Sequence, residues 1–266
     1  MANQVLNIAH RGASEYLPDN TLESFDRALA ENADMIELDV RKTIDGKLVL
    51  FHDWTVNIPS AGSPDTNIPK LVSHASSTKL QESCQRNGYR LAMLDETLEH
   101  FGGRLDINIE LKAGGYEKDV VDLVNEFGLV DSVIISSFFP WIIKKIKNYD
   151  NRFKAGWIIG QEQVILLNRL ARPIVSLLFD KIEADSAHFH YEIITPAVIK
   201  HFHLRQIPIF AWTVNNEHIF SYLIDMGVDG IITDRPGVLH SILQKETNNM
   251  VNQLTGSKLI ASFKKA

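Results

Sequence analysis

A (β/α)8 barrel is the fold class this sequence predicts, on three observations. Eight short runs rich in β-branched and apolar residues recur along the chain. Amphipathic stretches such as Thr21–Glu31, Tyr116–Phe127 and Ile219–Met226 lie between most of them, the alternation expected of parallel βαβ units. The length of 266 residues matches eight such units closing on themselves. A doubly wound open sheet is the alternative on pattern alone, but no glycine-rich dinucleotide fingerprint or P-loop supports it.

The elements follow in order. Val5–Ala9 is the first strand, and Pro18 closes the loop behind it. Asn20 is placed to cap the first helix, with Glu23 three residues on to reach back. Met35–Val40 is the second strand. It runs into a segment that breaks the alternation, from Arg41 to His52, where Asp45-Gly46 between two extended arms is a strong hairpin signal. With Asp45-Gly46 as a two-residue turn, Ile44 faces Lys47 and Asp39 falls opposite His52. Asn57–Arg90 carries Pro59, Pro64 and Pro69, then a polar helix-like stretch at Ser76–Gln85, and reads as part of an insertion overhanging the barrel mouth. The remaining strands are Asp106–Leu111, Ser132–Ser136, Ala155–Ile159, Ala184–Phe189, Pro208–Val214 and Gly230–Thr233. The expected organisation is one barrel over residues 1–241, with a hairpin-plus-loop insertion after strand two at about 41–90. A helical tail over 242–266 ends in the basic pair Lys264-Lys265.

Bulk properties exclude several classes of function. A formal net charge of -6 leaves no broad basic footprint for nucleic acid. One cysteine, Cys84, excludes an internal disulfide and fits a reducing compartment. No apolar run reaches membrane-spanning length, and no basic segment followed by a long apolar stretch marks a signal peptide, so a cytoplasmic location is expected.

The chemistry is concentrated at strand ends. Glu37 and Asp39 are two apart in an apolar strand, so both carboxylates point to one face, where unpaired charge is costly. Glu110 ends another strand whose alternate residues, Asp106, Asn108, Glu110 and Lys112, are all polar. Three carboxylates without cysteine suit one hard divalent cation, Mg²⁺, Ca²⁺ or Mn²⁺. The competing arrangement is a set of buried ion pairs with Arg11, Lys112 or Arg41. His10 and His52 both converge on the carboxylates. Imidazoles titrate near neutrality, and phosphodiester cleavage needs a base for the nucleophile and an acid for the leaving oxygen. Arg11 offers a planar fork for a phosphate, Lys112 a point charge, and Gly12 lets the backbone come close. Trp212, near a strand end, is either core or a wall for substrate. His188 and His190 share one strand face, with a mouth role and a structural polar role both open. Asp234 reads as a cap for the last helix.

These residues lie in motifs that together resemble the glycerophosphodiester phosphodiesterases. The motifs are Ala9-His10-Arg11-Gly12, Pro18-Asp19-Asn20-Thr21, Ile36-Glu37-Leu38-Asp39-Val40, Thr43-Ile44-Asp45-Gly46, Phe51-His52-Asp53, Ile109-Glu110-Leu111-Lys112, Trp212-Thr213-Val214-Asn215 and Gly230-Ile231-Ile232-Thr233-Asp234-Arg235-Pro236. They occur in order from residue 9 to residue 236. The resemblance implies a TIM barrel with a small insertion after strand two, metal ligation at Glu37, Asp39 and Glu110, acid–base work at His10 and His52, and phosphate contacts at Arg11 and Lys112. It also implies the reaction, splitting a glycerophosphodiester into an alcohol and sn-glycerol 3-phosphate. The chain departs from the family pattern at Asp19, at Thr55-Val56-Asn57-Ile58-Pro59 and at Ala92-Met93-Leu94. These positions lie apart from the proposed catalytic residues, and the last two bear on the alcohol side of specificity. Two other functions fit the same residues. One is a lysophospholipase D or phospholipase C-like headgroup hydrolase, for which Phe138-Phe139-Pro140-Trp141 would supply an apolar rim. The other is a non-catalytic phosphate-binding barrel.

Overall fold

The computed structural model describes residues 5–60, 63–161 and 172–248. Eight parallel strands close into a barrel: β1 (Leu6–His10), β2 (Met35–Lys42), β6 (Asp106–Leu111), β7 (Val133–Ser137), β8 (Lys154–Ile159), β9 (Ser186–His190), β10 (Ile209–Trp212) and β11 (Gly230–Thr233). Closure is made by β1, which pairs with β2 through Ile8↔Met35 and with β11 through Leu6↔Gly230. Around the barrel run α1 (Leu22–Ala30), α3 (Leu94–Phe101), α4 (Glu117–Glu126), α5 (Pro140–Tyr149), α6 (Arg172–Ile182), α7 (Pro196–His203) and α8 (Glu217–Met226). A last helix spans 236–248; the remainder of the tail, from residue 249, lies outside the described residues.

Strand alternation sorts the core. Ala9, Ile36, Leu38, Ile107 and Ile109 face outward and pack with helix residues such as Phe25, Ala28 and Leu98. A second cluster on the far side joins Ala187, Ile209 and Ile231 to Phe179, Phe202 and Phe220. Ile8, Met35, Phe210 and Ile232 belong to the inward set and plug the barrel interior. The strands' other inward positions, towards their C-terminal ends, are therefore free to be polar, and in this fold that end carries the chemistry.

The insertion is more ordered than a loop. β3 (Leu48–Leu50) returns antiparallel to β2, β4 (Thr55–Ser60) and β5 (Ser63–Leu71) form a two-stranded ribbon, and α2 (Ser77–Arg86) packs beneath with Val49, Val56, Leu80 and Cys84 in a small core of its own. The first hairpin corrects the expected register by one residue. Val40 pairs with Leu50, and Phe51 N donates to Asp39 O at 3.0 Å, so Phe51 and not His52 stands across from Asp39. The cause is the turn. Gly46 N donates to Thr43 O and Thr43 N to Lys47 O, with Gly46 at φ +81°, a three-residue loop with a left-handed glycine. Two cap assignments also change. Thr21, not Asn20, caps α1, its hydroxyl accepting from Ser24 N while the Ser24 hydroxyl accepts from Thr21 N. Asp234 is drawn into the barrel mouth instead of serving the helix that follows it.

Candidate active site

The mouth is built from strand ends. β2 places Glu37 and Asp39 on its inward face, β6 adds Glu110, and β1 ends in His10, which sits in register with Glu37. All three carboxylates are buried, and one oxygen from each lies within 4.8 Å of the others. Lys112 Nζ stands 2.8 Å from Asp39 Oδ1 and 2.6 Å from Glu110 Oε1. Arg11 Nε stands 2.9 Å from Asp39 Oδ2, and its Nη1 donates to Asp19 at 3.0 Å. The ion pairs anticipated with Arg11 and Lys112 are thus present. Arg41 is instead turned away from the acids: its Nε and Nη2 donate to the His52 carbonyl at 3.0 and 2.6 Å, fixing the backbone that carries that histidine.

Two cations face three carboxylates, and the imbalance falls on Glu37. Burial and the neighbouring Asp39 push its pKa up to about 8. Burial raises Glu110 in the same way. For Asp39, burial is overcome by Lys112 and Arg11, which hold it well below the ordinary carboxylate range. The ion pairs also leave acceptors open. Asp39 Oδ1 and Glu110 Oε1 are buried and, although close to Lys112, receive no aligned hydrogen bond. Three converging hard oxygens from three carboxyl groups, with only two cations beside them, fit a divalent cation bound by oxygen.

The loop after β1 is shaped to serve this cluster. Arg11 and Asn20 both adopt left-handed backbone conformations, φ 55° and 56°, uncommon outside glycine. Gly12 has φ +88°, and a Cβ there would lie 2.3 Å from Ser24 Oγ, so only glycine fits. The result brings Arg11 N to Glu37 Oε2 at 3.1 Å. Asn20 grips Asp39 twice, donating Nδ2 to Oδ2 at 2.8 Å and accepting from Asp39 N at 3.0 Å. The sequence signal for Asn20 was present in Pro18-Asp19-Asn20-Thr21 but pointed to a local cap.

The two histidines differ in setting. His10 Nδ1 donates to Asp234 Oδ1 at 2.6 Å, and Asp234 also accepts from Ser14 Oγ at 2.8 Å and Asn215 Nδ2 at 2.5 Å. Burial opposes charge on His10, but the Asp234 hydrogen bond and Glu37 outweigh it and its pKa is raised. Asp234 itself, despite burial, is lowered to about 2 by His10. His52 Nδ1 donates to the exposed Asp53 at 2.9 Å, and burial with Lys112 nearby lowers its pKa. Trp212 is half-buried at the rim, its Nε1 donating to His188 O at 2.9 Å and its ring edge-on to Phe138 at 5.5 Å. His10, Arg11, Glu37, His52, Glu110, Lys112 and Trp212 line one cavity of about 120 Å³. Asp39 lies behind it. The structure therefore brings all eight expected residues together and adds Asn20, Asp234 and Asn215 as supports.

A family model for the glycerophosphoryl diester phosphodiesterase family matches residues 10–238. The chain belongs to that family. A glycerophosphodiester phosphodiesterase of Caldanaerobacter subterraneus subsp. tengcongensis is 33% identical over 91% of this chain and 99% of its own length. Among solved structures, a glycerophosphodiester phosphodiesterase of Thermotoga maritima aligns with a TM-score of 0.74 at 25% identity, covering 89% of this chain and 98% of that one. An Oleispira antarctica phosphodiesterase in complex with the product sn-glycerol 3-phosphate aligns with a TM-score of 0.72 at 21% identity, over 91% and 97%. Membership makes this chain a phosphoric diester hydrolase acting on glycerophosphodiesters. Among the described residues no helix is long and apolar enough to cross a membrane.

Proposed function

We propose that the chain hydrolyses glycerophosphodiesters to an alcohol and sn-glycerol 3-phosphate, with a divalent cation held by Glu37, Asp39 and Glu110. The observation that carries this reading is the buried trio of carboxyl groups, one oxygen of each within 4.8 Å of the others, paired with only two cations, Arg11 and Lys112. The oxygen donors suit Mg²⁺, Ca²⁺ or Mn²⁺. When bound, such an ion supplies positive charge for a phosphate oxygen and for the charge that builds up as the diester is attacked. The product found in the Oleispira neighbour supports the glycerol-phosphate half of the assignment.

The remaining chemistry is assigned to side chains on either side of the cavity. His10, oriented by Asp234, and His52, oriented by Asp53, form the proton-transfer pair, one taking the nucleophile's proton and the other giving one to the leaving oxygen. Arg11 and Lys112 reach the cavity and hold phosphate charge. Trp212 supplies the wall against which the substrate's carbons rest.

A second reading is favoured by one feature. Trp54 and Trp141 are 55% and 56% exposed, Trp141 lies tilted against Phe139 with ring centroids 4.7 Å apart, and a cleft of about 310 Å³ runs past Trp54, Phe138 and Phe139 to His52 and Lys112. Such a rim suits a lysophospholipid. The test is turnover of glycerophosphocholine and of lysophosphatidylcholine, with chelator and with each cation restored. Cation-dependent release of sn-glycerol 3-phosphate from the first is the expected result. Preference for the lysolipid selects the second reading, and full turnover in chelator overturns the metal assignment.

A further inference from the structure

Below the carboxylates the cavity ends on a floor that is only partly apolar. Ile158 and Ile232 form part of it, together with Asn108 and His188. Asn108 precedes the ligand Glu110 by two residues on β6 and so lies one step deeper on the same inward face. His188 is inward on β9, in register with Ile158 and Phe210. Both residues are fully enclosed, at 1% and 0% exposure. Yet Asn108 Oδ1 and His188 Nδ1 have no hydrogen-bond partner among the described residues. Leaving a polar atom so enclosed without a partner is costly, so each calls for a ligand or solvent group.

The His188 ring is held in place for such a partner. Its other nitrogen, Nε2, is 2.9 Å from Ser186 Oγ. The ring lies against Phe210 with centroids 4.9 Å apart. Gly156 makes room for the ring: a Cβ there would come within 2.5 Å of Nε2. Burial keeps the imidazole neutral, so Nδ1 can accept or donate according to the tautomer. Asn108 Oδ1 only accepts. It stands in register with Glu37 and one inward step deeper than Glu110, in a region already rich in acceptors. A phosphate oxygen there would meet another acceptor, whereas a hydroxyl would find one acceptor and one adaptable nitrogen. The phosphate belongs higher, at Arg11 and Lys112. The floor then faces the uncharged end of the substrate.

We propose that Asn108 and His188 bind the hydroxyls of the substrate's glycerol end and so select glycerol phosphates over phosphates of simple alcohols. This rests on the glycerophosphodiester reading above. A site built to bond a hydroxyl rejects an analogue lacking it, because its own buried groups are then left unpaired.

The experiment compares sn-glycerol 3-phosphate with n-propyl phosphate as ligands of the protein loaded with the cation that supports turnover, using calorimetry and inhibition. Wild type should prefer the glycerol phosphate by about tenfold or more. His188→Phe keeps the ring's size and removes Nδ1, and Asn108→Leu keeps shape and removes the acceptor; each should erase most of that preference while propyl phosphate binds about as before. His188→Asn, retaining a polar end, should keep part of it and serves as the check that a changed residue 188 still folds. Equal weakening of both phosphates in the variants, or no preference in wild type, overturns the proposal while hydrolysis of glycerophosphodiesters stands. Wild-type protein that turns over no glycerophosphodiester would instead overturn the reading on which it rests.

Discussion

Replacing Glu37 by glutamine should make the metal-free protein more stable and the metal-loaded protein less so. In the absence of a cation, Glu37 is a buried acid whose pKa rises from the usual 4.5 to about 8, through burial first and Asp39 second. The sign follows from proton counting. Between those two values the folded protein holds a proton that the unfolded chain has released, so stability falls as pH rises. At roughly 1.4 kcal/mol per pH unit for one proton, the loss is on the order of 3 kcal/mol by neutrality and about 5 kcal/mol by pH 8. Glutamine carries no such proton, so this part of the pH dependence should vanish. Urea unfolding in chelator from pH 5 to 8 reads the effect as the difference between the two proteins' curves. At neutral pH, restoring a divalent cation then reverses the order, because ligand at a thousandfold excess over its Kd stabilises wild type by about 4.1 kcal/mol, more than the roughly 3 kcal/mol that Glu37 costs there. The variant, lacking one of three ligands, should gain far less. Superimposable pH curves, or equal stabilisation of both proteins by the cation, would refute both the charge imbalance and the metal site.

Three further outcomes are expected. Asp234→Asn removes the anion that helps raise the pKa of His10, so the limb of the pH–rate profile that belongs to His10 should move to lower pH, with folding intact; an unmoved profile would show that the 2.6 Å contact only orients the ring. Arg11→Lys keeps the charge but cannot reach Asp19 and Asp39 together, and should lower kcat/KM by about tenfold or more; an unchanged value would remove Arg11 from the phosphate site. Asn20→Ala breaks two buried hydrogen bonds to Asp39 and should cost about 2–3 kcal/mol of stability together with metal affinity, measured by urea unfolding and cation titration; a loss below 0.5 kcal/mol would mean the loop holds Asp39 by other means.

What the sequence disclosed depends on how far apart the partners are. The eight barrel strands were legible because each is a short branched apolar run, and their bounds fall within about two residues of those expected. The convergence of Glu37, Asp39, Glu110 and His10 was legible because polar residues stand towards the ends of those runs, and that of His52 because it follows the returning arm of the hairpin. Asn20 was misread because its side chain serves Asp39, 19 positions away, while its local setting looks like a helix start. The hairpin register differs by one residue from that of a two-residue Asp45-Gly46 turn, because the left-handed Gly46 closes a turn begun at Thr43. Prolines marked the insertion as loop. In a ribbon of two strands both strands are edges, so Pro69 can pair opposite Asn57 without an interior ladder bond to break.

The least legible feature of the site is the pairing of His10 with Asp234 across 224 residues. No local pattern could announce it, since one residue ends the first strand and the other follows the last. Only closure of the barrel, with Ala9 in register with Thr233, sets them side by side. The support continues into the neighbouring unit, where Asn215 donates to Asp234 and accepts from Asp234 N at 2.9 Å and Thr233 Oγ1 at 3.0 Å. The proton state of His10 is therefore coupled to the seam between the two ends of the chain. On the proposed mechanism, a substitution that loosens β11 against β1 without touching the mouth should alter turnover before it alters cation binding, because Glu37, Asp39 and Glu110 belong to β2 and β6, whose mutual pairing over six residues lies on the other side of β1. The buried carboxylates and the proposed proton-transfer residue His10 with its partner Asp234 thus stand on separate strand pairs that meet at His10 and Glu37.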